Sequence, residues 1–176
     1  MRTLVSLLVA VTLSASAFAA EATNFTLTDI GGKKVSLTDF GDDVVVMSFW
    51  ATWCGPCKEE MPHLQKMYAE KKDQGFTVLS ISTDDARSAS RVKPFIMKNA
   101  YTFPVLLDRE SKVITQYNPS KTLPYTVVIA KGEIVKSHSG FNPGDEEELA
   151  KLVDELLAKG GPRDSEKPAE APPAEK

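Results

Sequence analysis

Apolar residues along this chain fall into short blocks separated by turn residues, and one block stands out. Val44–Trp50 (Val-Val-Val-Met-Ser-Phe-Trp) follows the break Gly41-Asp42-Asp43 and reads as a buried strand. The period then changes. Over 55–73 the residues Cys57, Met61, Leu64 and Tyr68 recur at i, i+4, i+7 and i+11, which puts them on one face of a helix. Pro56 suits the first turn, where its missing N–H costs nothing, while Pro62 predicts a kink and Gly75 a stop.

The remaining blocks are shorter. Phe25 and Leu27, then Val35 and Leu37, alternate with polar residues around Gly31-Gly32 and predict a β-hairpin ahead of the main sheet. Phe76–Ser82 reads as a second buried strand. Thr83-Asp84-Asp85 then offers caps for a helix to about Asn99, buried through Ala89, Val92 and Ile96 and bent or late-starting at Pro94. A third strand at 103–107, a short helix at 111–117 and a fourth strand at Tyr125–Ala130 follow. Lys131-Gly132 turns that strand into an antiparallel partner at 133–138. The last helix opens at Asn142-Pro143-Gly144-Asp145, with Asp145 and Glu148 spaced as a capping box and Leu149, Leu152, Val153 and Leu156 as its apolar face. Strands alternating with helices, closed by an antiparallel pair, predict an α/β fold: a mixed sheet with helices on both faces.

Both ends of the chain lie outside that pattern. Arg2, an apolar run at 4–13 and Ala17-Phe18-Ala19 make a secretory signal at 1–19, cleaved after Ala19; an uncleaved anchor is the alternative. Residues 160–176 hold four prolines and no large apolar side chain, so they predict a disordered tail behind a single domain at 20–159. The full chain of 176 residues is 42% hydrophobic with a net charge of -3. Without Arg2 it carries 20 basic and 24 acidic residues, a net -4, and no basic stripe with interleaved aromatics. Nucleic acid is therefore not an expected partner.

Export changes the meaning of Cys54 and Cys57, the only cysteines in the sequence. Disulfides persist outside the cytoplasm, yet a bridge across so short a loop removes little unfolded-state entropy. Chemistry is the better reason for the pair. At a helix start, side chains three apart are neighbours, so the two thiols can close and reopen without refolding the domain. Cys54 faces the unpaired N–H groups and positive end of the helix, which favour a thiolate; Cys57 lies one turn in on the apolar face. Position thus makes Cys54 the attacking sulfur and Cys57 the thiol that resolves the mixed disulfide.

The run Trp53-Cys54-Gly55-Pro56-Cys57-Lys58, with Pro62 five residues beyond the second cysteine, resembles the thioredoxin superfamily. The longer stretch Ser-Phe-Trp-Ala-Thr-Trp-Cys-Gly-Pro-Cys-Lys-Glu-Glu-Met-Pro, the leading hairpin, the extra helix before 102–108 and the export signal are similar to its TlpA/ResA-like branch of extracytoplasmic thioredoxins. The likeness covers roughly 24–159. It implies a thioredoxin-like fold with an N-terminal hairpin and an αβ insertion. It also implies a periplasmic or extracytoplasmic monomer that exchanges disulfides with proteins. No cofactor is expected beyond the Cys54–Cys57 disulfide, and a membrane thiol donor recharges it.

Site residues carry over by the same match. Pro124 stands where the superfamily places a cis-proline beside the cysteines, and Leu123 where backbone groups pair with an extended substrate. Trp53, Gly55 and Pro56 complete the expected substrate surface. Many thioredoxins hold a buried Asp six residues before the first cysteine; Ser48 occupies that place here. ResA-like members have a glutamate three residues after the second cysteine, and Glu60 matches it. Helix geometry agrees, since Glu60 lies about 60° from Cys57 around the axis and Glu59 about 160°. Glu60 is thus the expected proton partner of Cys57, against the plainer reading of a solvated surface charge.

A Gly-Pro dipeptide between the cysteines is similar to reducing thioredoxins, so the expected direction is reduction, with apocytochrome c or copper-site cysteines among the relatives' clients. Two alternatives differ in chemistry. Cys54, Cys57 and His138 form a candidate Cu(I) set, although copper-delivery relatives space their cysteines more widely. Peroxide reduction is the other, but the P-x-x-x-T-x-x-C pattern of peroxiredoxins is missing, because Ala51 stands three before Cys54. His63 reads as solvent contact, Trp50 as core, and Asp84 and Asp85 as caps.

Overall fold

The computed structural model describes residues 20–160. The expected signal at 1–19 and the tail beyond Gly160 lie outside the described residues. In chain order the elements are β1 (Ala20–Glu21), β2 (Thr26–Asp29), β3 (Lys34–Ser36), β4 (Val44–Trp50), α1 (Gly55–Lys71), β5 (Phe76–Ser82) and α2 (Val92–Lys98). Then come β6 (Val105–Leu107), α3 (Lys112–Tyr117), β7 (Tyr125–Ala130), β8 (Glu133–Ser139) and α4 (Asp145–Gly160).

All the strands join one sheet in the order β1-β8-β7-β4-β5-β6-β2-β3. The β4–β5 and β5–β6 pairs are parallel and the rest antiparallel. β4 is flanked by β5 and β7, and all seven of its residues are buried. Its side chains divide between two cores by simple alternation. Val44, Val46 and Trp50 pack with Met61, Leu64, Ile96 and Val153 of the helices α1, α2 and α4. Val45, Met47 and Phe49 pack on the other face with Leu79, Ile81 and Ile114, under the hairpin residues Phe25 and Val35. Each such side chain contributes roughly 1.5–3 kcal/mol on burial. The result is a mixed sheet with helices on both faces, a thioredoxin-like α/β fold.

The expected hairpin β2–β3 forms and joins the main sheet, with Thr28 and Asp29 paired to Leu107 and Leu106 of β6. As Pro94 predicts, α2 starts late: a single 3-10 turn at Ala89–Arg91 precedes it, and it begins at Val92 with Pro94 in its first turn. Ala89 is half-buried rather than core. The capping box at Asp145 does not form. Gly144 is the residue whose carbonyl accepts from Glu147 and Glu148, and Asp145 instead accepts from the N–H of Asn142. Gly75, at φ 78°, ends the α1 segment as expected, in the left-handed region that glycine adopts without strain. The last helix runs through Gly160, one residue into the expected tail. Among the described residues no helix is long and apolar enough to cross a membrane.

Candidate active site

The site begins where β4 runs out. Past Trp50 the chain turns, with the N–H of Cys54 donating to the carbonyl of Ala51 at 3.0 Å. This turn is fastened to the end of β5. Thr83 N–H donates to the Trp50 carbonyl at 2.8 Å. Thr52 donates its backbone N–H and its hydroxyl to the two oxygens of Asp84, at 2.8 and 2.6 Å. Ser82 adds a third donor to Asp84 at 3.0 Å. Asp84 is fully buried, so its carboxylate depends on these donors. Asp85 alone plays the capping role expected of both, accepting from the backbone N–H groups of Arg87 and Ser88.

Cys54 is the N-cap of α1, with extended backbone at φ -83° and ψ 112°. Its sulfur accepts the N–H of Cys57 at 3.3 Å, the place a capping oxygen normally takes. The two cysteines are joined, with Cα atoms 5.4 Å apart. Cys57 is inaccessible (0%), while Cys54 keeps 6%, less open than an attacking thiol is expected to be but the more open of the two. Around the pair, Trp53, Gly55 and Pro56 are exposed, Trp53 to 66%.

The Leu123–Pro124 peptide is cis. It lies next to the cysteine loop by strand register: Tyr125 pairs with Phe49, and one step further sets Pro124 level with Trp50. Pro124 is buried and Leu123 half-buried. Among the described residues the N–H and C=O of Leu123 make no hydrogen bond, which leaves them free for an extended chain.

Glu60, one turn past Cys57, is buried on the sheet-facing side of α1. The solvated-surface reading therefore fails. Ser48 of β4 donates to its Oε2 at 2.9 Å and Thr126 of β7 to its Oε1 at 2.7 Å. Burial raises its pKa, and the two hydroxyls pull only partly the other way. Glu60 also lines a small cavity whose walls carry His63, His138 and Asp145, and whose charges act on it in opposite senses.

The other residues singled out fall elsewhere. His138, opposite Thr126 in β8, has its Nε2 3.0 Å from Asp145 Oδ2. The structure does not gather it with the cysteines as copper donors: among the described residues no group of three or more His, Cys, Asp or Glu is placed to hold a metal ion. His63 is exposed beside the ring of Phe141. Two features escaped sequence reasoning. One is Asp84 as anchor of the cysteine loop; the polar pair Ser82 and Asp84 closing an apolar strand is the signal that pointed to it. The other is Thr126, visible only once β7 is set beside β4.

Similarity to known proteins covers the same ground. The sequence pattern of the AhpC/TSA family matches residues 18–138. Thiol-disulfide oxidoreductase ResA of Halalkalibacterium halodurans is 34% identical over 138 residues, 78% of this chain and 75% of that protein. ResA of Bacillus cereus is 36% identical over 121 residues, 68% of each. Among solved structures, a thiol:disulfide interchange protein DsbE from Chlorobium tepidum superposes with a TM-score of 0.73 at 29% identity, over 79% of this chain and 96% of that one. StoA from Bacillus subtilis gives 0.63 at 26% identity, over 76% and 98%. Since the matched residues include the sheet, α1 and the cysteine pair at its mouth, the chain belongs to the AhpC/TSA family of the thioredoxin superfamily, among its ResA-like thiol–disulfide oxidoreductases.

Proposed function

We propose that this oxidoreductase is an exported reductant of protein disulfides, acting outside the cytoplasm after removal of residues 1–19. The observation that carries the reading is the asymmetry of the pair: Cys54 caps the helix with its sulfur against an N–H, and Cys57 is sealed behind it. In the reduced protein the Cys54 thiolate attacks one sulfur of a client disulfide, forming a mixed disulfide and releasing the first client thiolate. The Cys57 thiolate then attacks Cys54 Sγ, closing the Cys54–Cys57 bond and releasing the second. Two electrons pass to the client, and a membrane thiol donor restores the dithiol. No cofactor takes part.

Glu60 holds the proton balance in this scheme. Its raised pKa suits a carboxyl that takes the Cys57 proton as that thiol becomes the resolving nucleophile. Trp53, Gly55, Pro56, Leu123 and Pro124 form the surface against which the client chain lies, with Leu123 pairing to it as an added strand. The protein works as a monomer, and its resemblance to TlpA/ResA-like thioredoxins points to cysteines of apocytochromes c or of copper sites as the client class. Trapping tests the roles directly. Reduced Cys57→Ser accumulates a covalent adduct through Cys54 with an oxidised client protein, seen by mass spectrometry, whereas Cys54→Ser accumulates none. Equal trapping by both variants refutes the assignment.

A further inference from the structure

The exposed indole of Trp53 does not stand alone. It forms one wall of a shallow concavity shared with Thr83, Asp85, Arg87, Ser88 and Arg91. That second wall is held in place relative to the attacking sulfur by the Thr83–Trp50 and Thr52–Asp84 hydrogen bonds. The segment that carries the arginines is thus fastened at its start, through Thr83 and Asp84, to the loop that carries Trp53 and Cys54.

The charge of this wall runs against that of the chain. From Asp84 to Asn99 the exposed ionic side chains are Arg87, Arg91, Lys93 and Lys98, with Asp85 the single exposed acid, while the whole protein is at -3. Asp85 is already occupied: it accepts from the N–H of Arg87, from the N–H and hydroxyl of Ser88, and from the Arg87 guanidinium at 3.2 Å. Arg87 nonetheless stays 93% exposed, and Arg91 has no ion pair among the described residues. On α1, exposed Glu59 is offset by Lys58, whose Nζ lies 6.0 Å from the centre of the Phe95 ring.

An exposed Trp beside Arg91, which has no ion pair among the described residues, and Arg87, which is 93% exposed and paired only within its own loop to Asp85, is the composition of a binding hot spot. Guanidinium groups pair with carboxylates through two parallel hydrogen bonds, and an indole face covers an apolar side chain. We infer that the Trp53–Arg87–Arg91 surface docks client polypeptides that carry Asp or Glu close to the reacting cysteine. The inference rests on the reading of the protein as a reductant of polypeptide disulfides and names the class of polypeptide. Because the arginines are solvated, their effect falls mainly on encounter rate and weakens as salt rises.

Two synthetic peptides test it. Each carries one cysteine in mixed disulfide with 2-mercaptoethanol; they differ only in flanking Glu or flanking Lys. Pre-reduced wild-type protein is expected to react with the Glu peptide about tenfold faster at low ionic strength, the ratio shrinking toward one in 0.5 M salt. The ratio is read within each protein, so it is insensitive to changes in thiol reactivity. Arg87→Glu/Arg91→Glu inverts it, and Arg87→Gln/Arg91→Gln brings it near one. Equal wild-type rates for the two peptides, or a ratio that the charge reversal leaves unmoved, overturn the docking surface while leaving the reductant reading intact. If neutral hydroxyethyl disulfide is reduced but neither peptide is, the polypeptide-substrate reading falls and takes the surface with it.

Discussion

Ser48 and Thr126 face each other across β4 and β7, and both donate their hydroxyls to the carboxylate of Glu60. A cross-strand pair thus brackets a side chain delivered from the helix above. The place where many thioredoxins keep a buried acid holds Ser48, and the acid comes instead from α1 to meet it. Sequence position moved, but a carboxyl still sits beneath the cysteine pair's helix, in contact with the central strand.

The burial of that carboxyl makes stability depend on pH with a definite sign. Burial holds its folded pKa above the ordinary glutamate value, so the native state holds the proton to higher pH than the unfolded chain does. The cost of ionising it is absent below the unfolded pKa and accrues as pH rises through the folded one. Glu60→Gln should therefore be more stable than wild type at pH 8, with the gap closing at pH 4. Urea midpoints at the two pH values check this; a gap of equal size at both excludes it.

The same substitution reads the catalytic part. Without a titrating group at Glu60, resolution of the mixed disulfide by Cys57 should slow by about a hundredfold, the lower end of general acid–base contributions. Stopped-flow exchange from pH 5 to 9 should also lose one inflection. An unchanged rate profile, with unchanged cysteine pKa values, removes Glu60 from the mechanism.

Asp84 gives a prediction of a different kind, since it touches no reacting atom. Asp84→Asn leaves one oxygen for the donors of Thr52 and Ser82 and turns an amide toward the rest. The mismatch should cost about 1–3 kcal/mol of stability, the range for a buried polar group left unpaired. Exchange should slow as well, because the loop before Cys54 loses its anchor to β5. Denaturant unfolding together with exchange rates on the folded protein separates the two effects.

What the sequence disclosed follows from what is local. The Val-rich run of β4, the i, i+4 spacing of α1 and the Gly-bounded strand pair β7–β8 each declare themselves within a few residues. Glu60 was legible because helical phase places it beside Cys57. Its partners were not, since Ser48 and Thr126 meet only through the β4–β7 register. Asp84 was misread for a related reason. An Asp after an apolar strand matches a cap as well as an anchor, and only the approach of Thr52, 32 residues earlier, decides between them. The capping box at Asp145 failed because the chain entered α4 one residue sooner, leaving its carboxylate turned toward Asn142 and His138. β1, two residues long, offers no period to read.

The direction of electron flow is the claim on which the rest depends. Equilibrating the Cys54–Cys57 couple against glutathione or dithiothreitol buffers, with the two states resolved by thiol alkylation, gives its reduction potential. A reductant with this Gly-Pro pair should fall near the thioredoxin value of about -270 mV. A potential near about -120 mV, that of the strong oxidant DsbA, would contradict the account.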